Sequence, residues 1–430
     1  MADIRKQFYE NIESFWHDLY DEEYALYDIK VEKKEKIMQI KTAADRVGHV
    51  FFKTAHLLRK LDDMTLQSLG FPKEVLPYIR LQTMEIETVI SRIDFIVNES
   101  GIKVMELNAD TPTFIKELFH VNRRVCEHFG LHDPNLNEEE HLSRVLKEAI
   151  FKAYEELGKT TYPHVVFSSH SDHKEDKWTT TYLMEKANVK ARYEPLDKLR
   201  IVDEPIYENE ELILEPGLYD TNGQKIDVLY RQTYPIEHLV NDRDPVTDEG
   251  VGEVFLKLVK DKQLAIINPL SAFLLQSKAV QVVIWGLHEQ NHSFFTKEEH
   301  EWIYTYFLPT YLEEDIFIQN QMAYVKKPSF GREGDTVEIY KGSGEKVAED
   351  AQRTYEDEVP VYQQFLELDI AEVVTEKGKQ TAHIMYGCFL LNGRPSAVGI
   401  RAGNQITDNA SYYLPIGLKN ESEDKKNGVD

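Results

Sequence analysis

Residues Ile90 to Glu117 read ISRIDFIVNESGIKVMELNADTPTFIKE. Two runs of strand character, SRIDFIV and IKVMELN, flank the turn formers Asn98-Glu99-Ser100-Gly101, so the simplest local structure is a β-hairpin. Alternate strand residues face one side, which puts Arg92 with Asp94 and Glu106 with Asn108 and Asp110. If the two faces coincide, Asp94, Glu106 and Asn108 bring hard oxygen donors together beside a guanidinium. Such donors suit magnesium, which keeps several waters and is held by one or two carboxylates plus substrate phosphates. A polar hairpin with solvated charges fits the same pattern. Thr111-Pro112-Thr113 follows, a hydroxyl residue ahead of a proline suited to the first turn of a helix. A helix starting there would aim free N–H groups at an anion beside the carboxylates, although capping alone would also account for Thr111 and Pro112.

The composition sets bounds around this stretch. A chain of 430 residues with 42% hydrophobic and 11% aromatic residues is globular and long enough for two or three structural units. The net charge of −25 argues against a nucleic-acid partner, since a phosphate backbone needs a basic face; cationic ligands such as polyamines would be attracted instead. Only Cys126 and Cys388 are present, too few for a disulfide framework or a four-cysteine zinc site. The charged N-terminal stretch lacks the apolar centre of a signal peptide, and the longest apolar run, AVQVVIWGL, is too short to span a bilayer. A cytoplasmic protein without a membrane partner is expected.

Working outward, residues 1–70 are expected to form an N-terminal helical region, and 71–160 the hairpin with its flanking helices. Residues 161–250 alternate strand and helix, predicting a small α/β unit with some parallel pairing. Residues 251–417 give helices and then successive strands, and 418–430 are polar and expected to be disordered. No G-x-G-x-x-G opens a helix, and no Walker A sequence occurs, so neither a dinucleotide fold nor a P-loop is predicted.

Two further stretches carry chemistry. In Tyr324 to Val337, YVKKPSFGREGDTV, Gly331 and Gly334 relax a turn between strands, and Lys326, Lys327 and Arg332 supply cations at its edge. Such a loop can cover phosphates, or it is a plain hairpin with solvated lysines. Ser277 can cap the helix of AVQVVIWGL, leaving Lys278 in the first turn, where a cation is unfavourable unless an anion offsets it. His288 to His292 matches H-E-x-x-H, but Gly286, Asn291 and the capping box opening at Thr296 predict a helix end there, so the match is read as accidental. No G-x-S-x-G occurs, and neither cysteine lies in a nucleophile motif.

Taken in order, these motifs resemble the glutathionylspermidine synthase family, whose synthetase domain has the ATP-grasp fold. The resemblance rests on R-x-D followed twelve residues after the aspartate by E-x-N-A-D-T-P, then Ser277-Lys278, then K-P-x-x-G-R-E-G. Tyr362-Gln363-Gln364 and a G-I-R segment with I-T-x-N complete the series, which spans Arg92 to Asn409. It implies an α+β, ATP-grasp-like synthetase using ATP and Mg2+. Asp94, Glu106 and Asn108 would bind magnesium, and Arg92 and Arg401 would serve the transferring phosphoryl group and the substrate carboxylate. Lys278, Lys327, Gly331, Arg332, Gly334, Gln363 and Gln364 would bind ATP, and Thr111 and Thr113 would contact substrate. The implied function is an ATP-dependent carboxylate–amine ligase acting on small molecules, with a glutathione-like peptide and a polyamine as the pair the family suggests. The alternative is an inactive relative that binds nucleotide. No amidase domain, and so no hydrolysis of the product, is expected of this stretch of chain. Ala402 replaces an acidic residue common after the family's G-I-R arginine, and Pro235-Ile236-Glu237-His238 replaces P-W-E-W.

Overall fold

The computed structural model describes residues 2–419 except 234, 333 and 409. Most of the tail expected to be disordered, from residue 420 onward, lies outside the described residues. Helix α1 (Lys34–Leu58) buries Ile37, Ile40, Ala44, Val47, Phe51, Ala55 and Leu58. Their three- and four-residue spacing makes the single apolar stripe of an amphipathic helix. The expectation of helix throughout residues 1–70 fails between 10 and 33. There Asp18–Leu19 pairs with Glu22–Glu23 around Tyr20 and Asp21, both with positive φ, and Lys30–Glu32 runs parallel to Ile416–Leu418. Beyond that short hairpin and local turns, the backbone of this stretch bonds to distant strands, as in Leu26 N–H to Tyr413 O at 3.0 Å and Lys30 N–H to Pro415 O at 2.9 Å.

The hairpin forms as read, with β1 (Ile90–Asn98) antiparallel to β2 (Gly101–Asn108). It is an interior element, since β1 is buried from Ile90 to Val97. After helix α2 (Glu138–Glu156) comes a parallel sheet of β3 (Val165–Ser169), β4 (Ala191–Pro195), β5 (Val228–Gln232) and β6 (Ala265–Ile267), in the order β6-β5-β3-β4. Helix α3 (Lys174–Lys186) crosses over between β3 and β4. Strands β3, β5 and β6 are wholly buried, as a sheet covered on both faces requires. The fourth strand lies beyond the 161–250 segment expected for this unit, because a parallel neighbour needs a crossover, here the helix Val251–Lys260.

Helices α4 (Val280–Glu289) and α5 (Lys297–Tyr306) lead into an antiparallel sheet. Its strands are β7 (Thr310–Tyr311), β8 (Tyr324–Pro328), β9 (Glu338–Tyr340), β10 (Lys346–Glu349) and β11 (Pro360–Gln364), ordered β7-β11-β8-β9-β10. The H-E-x-x-H match is indeed a helix end: α4 stops at Glu289, and His288 faces His300 rather than His292, with 3.1 Å between their Nδ1 atoms. The chain then returns to the hairpin through β12 (Asp369–Thr375), β13 (Gly378–Leu391), β14 (Arg394–Gly403) and β15 (Tyr412–Leu414). The central sheet runs β15-β14-β13-β1-β2, and β12 pairs with the first half of β13. Among the described residues no helix is long and apolar enough to cross a membrane.

Polar side chains after β6 fasten the hairpin to the parallel sheet. Asn268 accepts from Val89 N–H (2.8 Å) and Ile90 N–H (3.0 Å) and donates to the carbonyls of Ile90, Ala109 and Asp110 at 2.8, 3.2 and 2.6 Å. Gln276 accepts from Ala109 and Asp110 N–H at 2.8 and 3.1 Å. A buried ion pair, Arg231 to Asp110 at 2.5 Å, ties β5 to the residues just past β2.

Glu299 fixes α5 to α1. It completes the capping box with Thr296 and takes Lys53 Nζ at 2.6 Å and His49 Nε2 at 2.8 Å. Burial alone would raise its carboxyl, but Lys53, the Thr296 backbone and His49 pull it down to about 2. With the folded value below the unfolded one, the stabilisation is complete at neutral pH and is lost as pH falls from the ordinary carboxylate range toward 2. Glu299→Gln keeps the capping geometry but removes the charge. The variant is expected to be about 1 to 2 kcal/mol less stable at pH 7, with the difference shrinking as pH falls toward 2 and disappearing only below it, as read by urea unfolding.

Candidate functional site

The register answers the question left open by the sequence. Arg92 stands opposite Asn108 and Asp94 opposite Glu106, so the two polar faces are one. Arg92 grips Asp94 bidentately, Nε to Oδ1 at 2.7 Å and Nη2 to Oδ2 at 2.8 Å, and its Nη1 donates to Thr113 O at 2.8 Å. Asn108 Nδ2 donates to Asp94 Oδ2 at 3.0 Å and to Glu106 Oε1 at 3.4 Å. On the neighbouring strand Gly387 lies across from Asp94, and a Cβ there would come within 3.1 Å of Arg92 Cδ. A glycine therefore makes room for the ion pair. Burial works against the Arg92 charge, yet the Asp94 carboxylate beside it more than compensates and raises its pKa.

A second bank of groups begins at Glu106. Lys278 Nζ lies 3.1 Å from Glu106 Oε2 and donates to Gly331 O at 2.6 Å. Lys327 Nζ donates to Gln363 Oε1 at 2.8 Å, and Gln363 is anchored in turn to Gln281 Oε1 at 3.1 Å. Burial would raise the Glu106 carboxyl, but Lys278 and Lys327 overcome it and hold it at about 2. Burial drives Lys327 down to about 8, with Glu106 opposing the fall. Lys326, one residue away and so on the other face of β8, turns instead to Glu338.

The glycine-rich loop roofs this bank. Its base is fixed by Phe330, which stacks on Phe273 with ring centroids 4.7 Å apart, and by Ser329 O, which accepts from Lys278 N–H at 2.8 Å. Further on, Arg332 Nη2 donates to Thr111 Oγ1 at 2.8 Å. Gly334 has φ +75° and passes so close to Thr407 O that a Cβ would lie 2.3 Å from it. Arg401 on β14, held by the Asp408 carbonyl at 3.1 Å, closes the opposite side.

Fourteen of the residues singled out from the sequence line one cleft whose open space, solvent at its mouth included, is about 1490 Å³: Arg92, Asp94, Glu106, Asn108, Thr111, Thr113, Lys278, Lys327, Gly331, Arg332, Gly334, Gln363, Gln364 and Arg401. One local expectation is corrected. The helix does not start at Thr111-Pro112; it begins at residue 115, after Phe114 at φ +77°, and runs through a π-helical turn, Glu117–Val121. Thr111 is not a cap, because its hydroxyl serves Arg332 and its carbonyl accepts from Gln232 at 3.1 Å. The sequence reading missed Leu19, Tyr20, Tyr24 and Glu175, which also line the cleft. The only hint of the first three was the run of aromatic and acidic residues in DLYDEEYALYD, which breaks helical periodicity.

Among the described residues no three His, Cys, Asp or Glu side chains cluster as a metal site. The donors here are two carboxylates and an amide, already gathered around Asn108. That is the partial oxygen shell suited to a magnesium ion sharing its remaining positions between water and phosphate, so the residues fit this ion.

A deep cleft between a central sheet and a second antiparallel sheet, with lysines beneath a glycine-rich loop, defines the ATP-grasp class of fold. Within it the chain belongs to the glutathionylspermidine synthase family, whose model, described as glutathionylspermidine synthase preATP-grasp, matches residues 4–419. It is 23% identical to a trypanothione synthetase of Crithidia fasciculata over 86% of this chain, and spans 54% of that protein's length. It is 25% identical to a Haemophilus influenzae protein assigned to the acid–amine ligases, over 79% of this chain and 78% of that one. In structure it is similar to a glutathione synthetase-like effector of Globodera pallida in its apo form, with a TM-score of 0.56, 14% identity, and coverage of 92% and 90% of the two chains.

The Arg92–Asp94 pair gives a prediction that needs no ligand. Arg92→Met strands a buried carboxylate and is expected to cost about 3 kcal/mol, whereas Arg92→Met with Asp94→Leu should recover much of the loss. Urea unfolding of the native protein, both single variants and the double variant measures the coupling; additive effects would refute it.

Proposed function

We propose that this protein is an ATP-dependent carboxylate–amine ligase that forms an amide through an acyl phosphate, with ATP and Mg2+ as cofactors. The observation that carries the reading is the continuity of the oxygen-donor set Asp94, Glu106 and Asn108 with the lysines Lys278 and Lys327 beneath one glycine-rich loop. Family membership supports it, and a glutathione-like peptide and a polyamine are the substrates that membership suggests.

A carboxylate is a poor electrophile. In the proposed reaction one of its oxygens takes the γ-phosphoryl group, ADP leaves, and the amine nitrogen then displaces phosphate from the acyl carbon. Asp94, Glu106 and Asn108 would hold magnesium, which when bound neutralises charge across the phosphate oxygens. Lys278, Lys327 and Arg332 bring fixed positive charge to the same oxygens, and the largely buried cleft walls strengthen each of these interactions. Gln363 and Gln364 lie at the nucleobase end in this reading, and Thr111, Thr113 and Arg401 at the carboxylate end. Arg92 stands between the two ends, where its neutral pairing with Asp94 can be shared with an incoming phosphoryl group. Among the described residues no serine or cysteine lines the cleft, and this sequence of steps needs no covalent protein nucleophile. Ala402, buried within the central sheet, gives an acceptor amine no carboxylate to bind.

Calorimetry with a non-hydrolysable ATP analogue tests the reading. The native protein is expected to bind it in a magnesium-dependent way, and Asp94→Ala should lose about tenfold or more of that affinity together with its dependence on magnesium. A screen of acids and amines that includes glutathione and spermidine should then release ADP only when both substrates are present. Absence of nucleotide binding by the native protein would sink the reading.

A further inference from the structure

The cleft wall contributed by the N-terminal segment carries a group that the reaction above does not use. Tyr24 lines the cleft, and its hydroxyl donates to Glu117 Oε1 at 2.6 Å. Glu117 is completely buried, and its second oxygen, Oε2, has no hydrogen-bond partner. The nearest lysine does not neutralise it by contact, because Lys116 Nζ is engaged by the carbonyls of Glu13 and Ser14 at 2.7 and 2.8 Å. Arg92 is committed to Asp94 and Thr113 O. The backbone that delivers Glu117 is itself unusual: Phe114 occupies the left-handed region at φ +77°, and Glu117 opens the π-helical turn. Such departures collect at working sites, where the surrounding structure must hold them in place.

Elsewhere in the cleft the two hairpin carboxylates are already engaged. Asp94 is bound by Arg92 and Asn108, and Glu106 is held at about 2 against its tendency when buried. Glu117 is different, for burial raises its carboxyl above the ordinary range. The Arg401 guanidinium and the Glu175 carboxylate both bear electrostatically on the Tyr24 hydroxyl, placing it on the side of the cleft assigned above to the acyl group.

We propose that Tyr24 and Glu117 form a proton relay that deprotonates the attacking amine, an inference that rests on the ligase reading. Before attack, the ammonium proton of the acceptor passes to the Tyr24 oxygen while the Tyr24 proton passes to Glu117 Oε1. The freed nitrogen lone pair then forms the C–N bond as the acyl C–O bond breaks, and phosphate leaves with the electron pair and takes up the proton that nitrogen loses as the amide forms. Glu117 ends neutral, and the reverse relay hands its proton to water once the amide has left. Tyr24 is the catalytic residue, touching the amine, and Glu117 is a positioning residue that acts through it.

The experiment compares two acceptors, with ATP, magnesium and glutathione as the carboxylate: spermidine, whose amines are protonated at neutral pH, and hydroxylamine, which is uncharged there. Tyr24→Phe is expected to slow amide formation with spermidine about 100-fold and hydroxamate formation far less, because an uncharged acceptor has no ammonium proton to lose before attack. Glu117→Gln should show the same selectivity, and should Glu117→Gln fail to fold, Tyr24→Phe, which keeps the ring, carries the test. An equal fall with both acceptors would make the pair a packing element and overturn the relay, as would no fall with either. A native protein that forms no hydroxamate overturns the ligase reading and the relay with it.

Discussion

The structure depends on one side-chain amide. Asn268, directly after β6, meets five backbone groups from the two chain segments that enter and leave the hairpin. Those groups lie at the shared open end of β1 and β2, where the strands separate and neither can satisfy the other. Leaving them unpaired in the interior would cost on the order of 1 to 3 kcal/mol each. A single planar amide, with one acceptor oxygen and two N–H donors, reaches all five, the Thr88 hydroxyl also donating to the Ile90 and Ala109 carbonyls, and so fixes the hairpin against the parallel sheet. Gln276 does the same for the next two N–H groups. The positions of Arg92, Asp94, Glu106 and Asn108 relative to Lys278, only two residues past Gln276, follow from these joints.

The cleft is also internally paired. Among the described residues five cationic and four acidic side chains line it, within a chain of net charge −25. Each cation has a partner: Arg92 has Asp94, Lys278 has Glu106 and Gly331 O, Lys327 has Gln363, Arg332 has Thr111, and Arg401 has the Asp408 carbonyl. Such pairing orients the charges before any ligand arrives, which is the condition for electrostatic stabilisation without reorganisation. It also means that a bound anion competes with existing contacts, and the contacts to neutral oxygens, at Gln363, Thr111 and the two carbonyls, are the easiest to exchange.

How much of this could be read from the sequence follows from the range of each interaction. Strand alternation is local and strict, so the shared face of Arg92 with Asp94 and of Glu106 with Asn108 was legible, although only the register could merge the two faces. The loop around Gly331 and Gly334 was legible because glycines between two strand-like runs have few other uses. Residues 10–33 were not, since apart from a two-residue hairpin and local turns their backbone is held by strands nearly 400 residues away and shows no helical periodicity. The helix start at residue 115 was misplaced for a related reason. Thr111 and Pro112 carry a sound capping signal, but Arg332 and Gln232, from distant parts of the chain, claim the threonine's polar groups first. The fourth strand of the parallel sheet was hidden by its length of three residues, too short for any pattern to emerge.

The pairing of Lys30–Glu32 with Ile416–Leu418, and of Tyr24 with Tyr413, has a consequence for how the molecule is made. A ribosome delivers the chain from its first residue onward, so the wall that holds Tyr24 has no strand to lean on until residue 418 has been added. Until then the parallel sheet and the hairpin with its amide joints can form, while the early segment waits as an unpaired edge. Among the described elements this wall of the cleft is the last to find its partner strand, and a chain truncated before β15 would carry most of the buried core without a complete cleft.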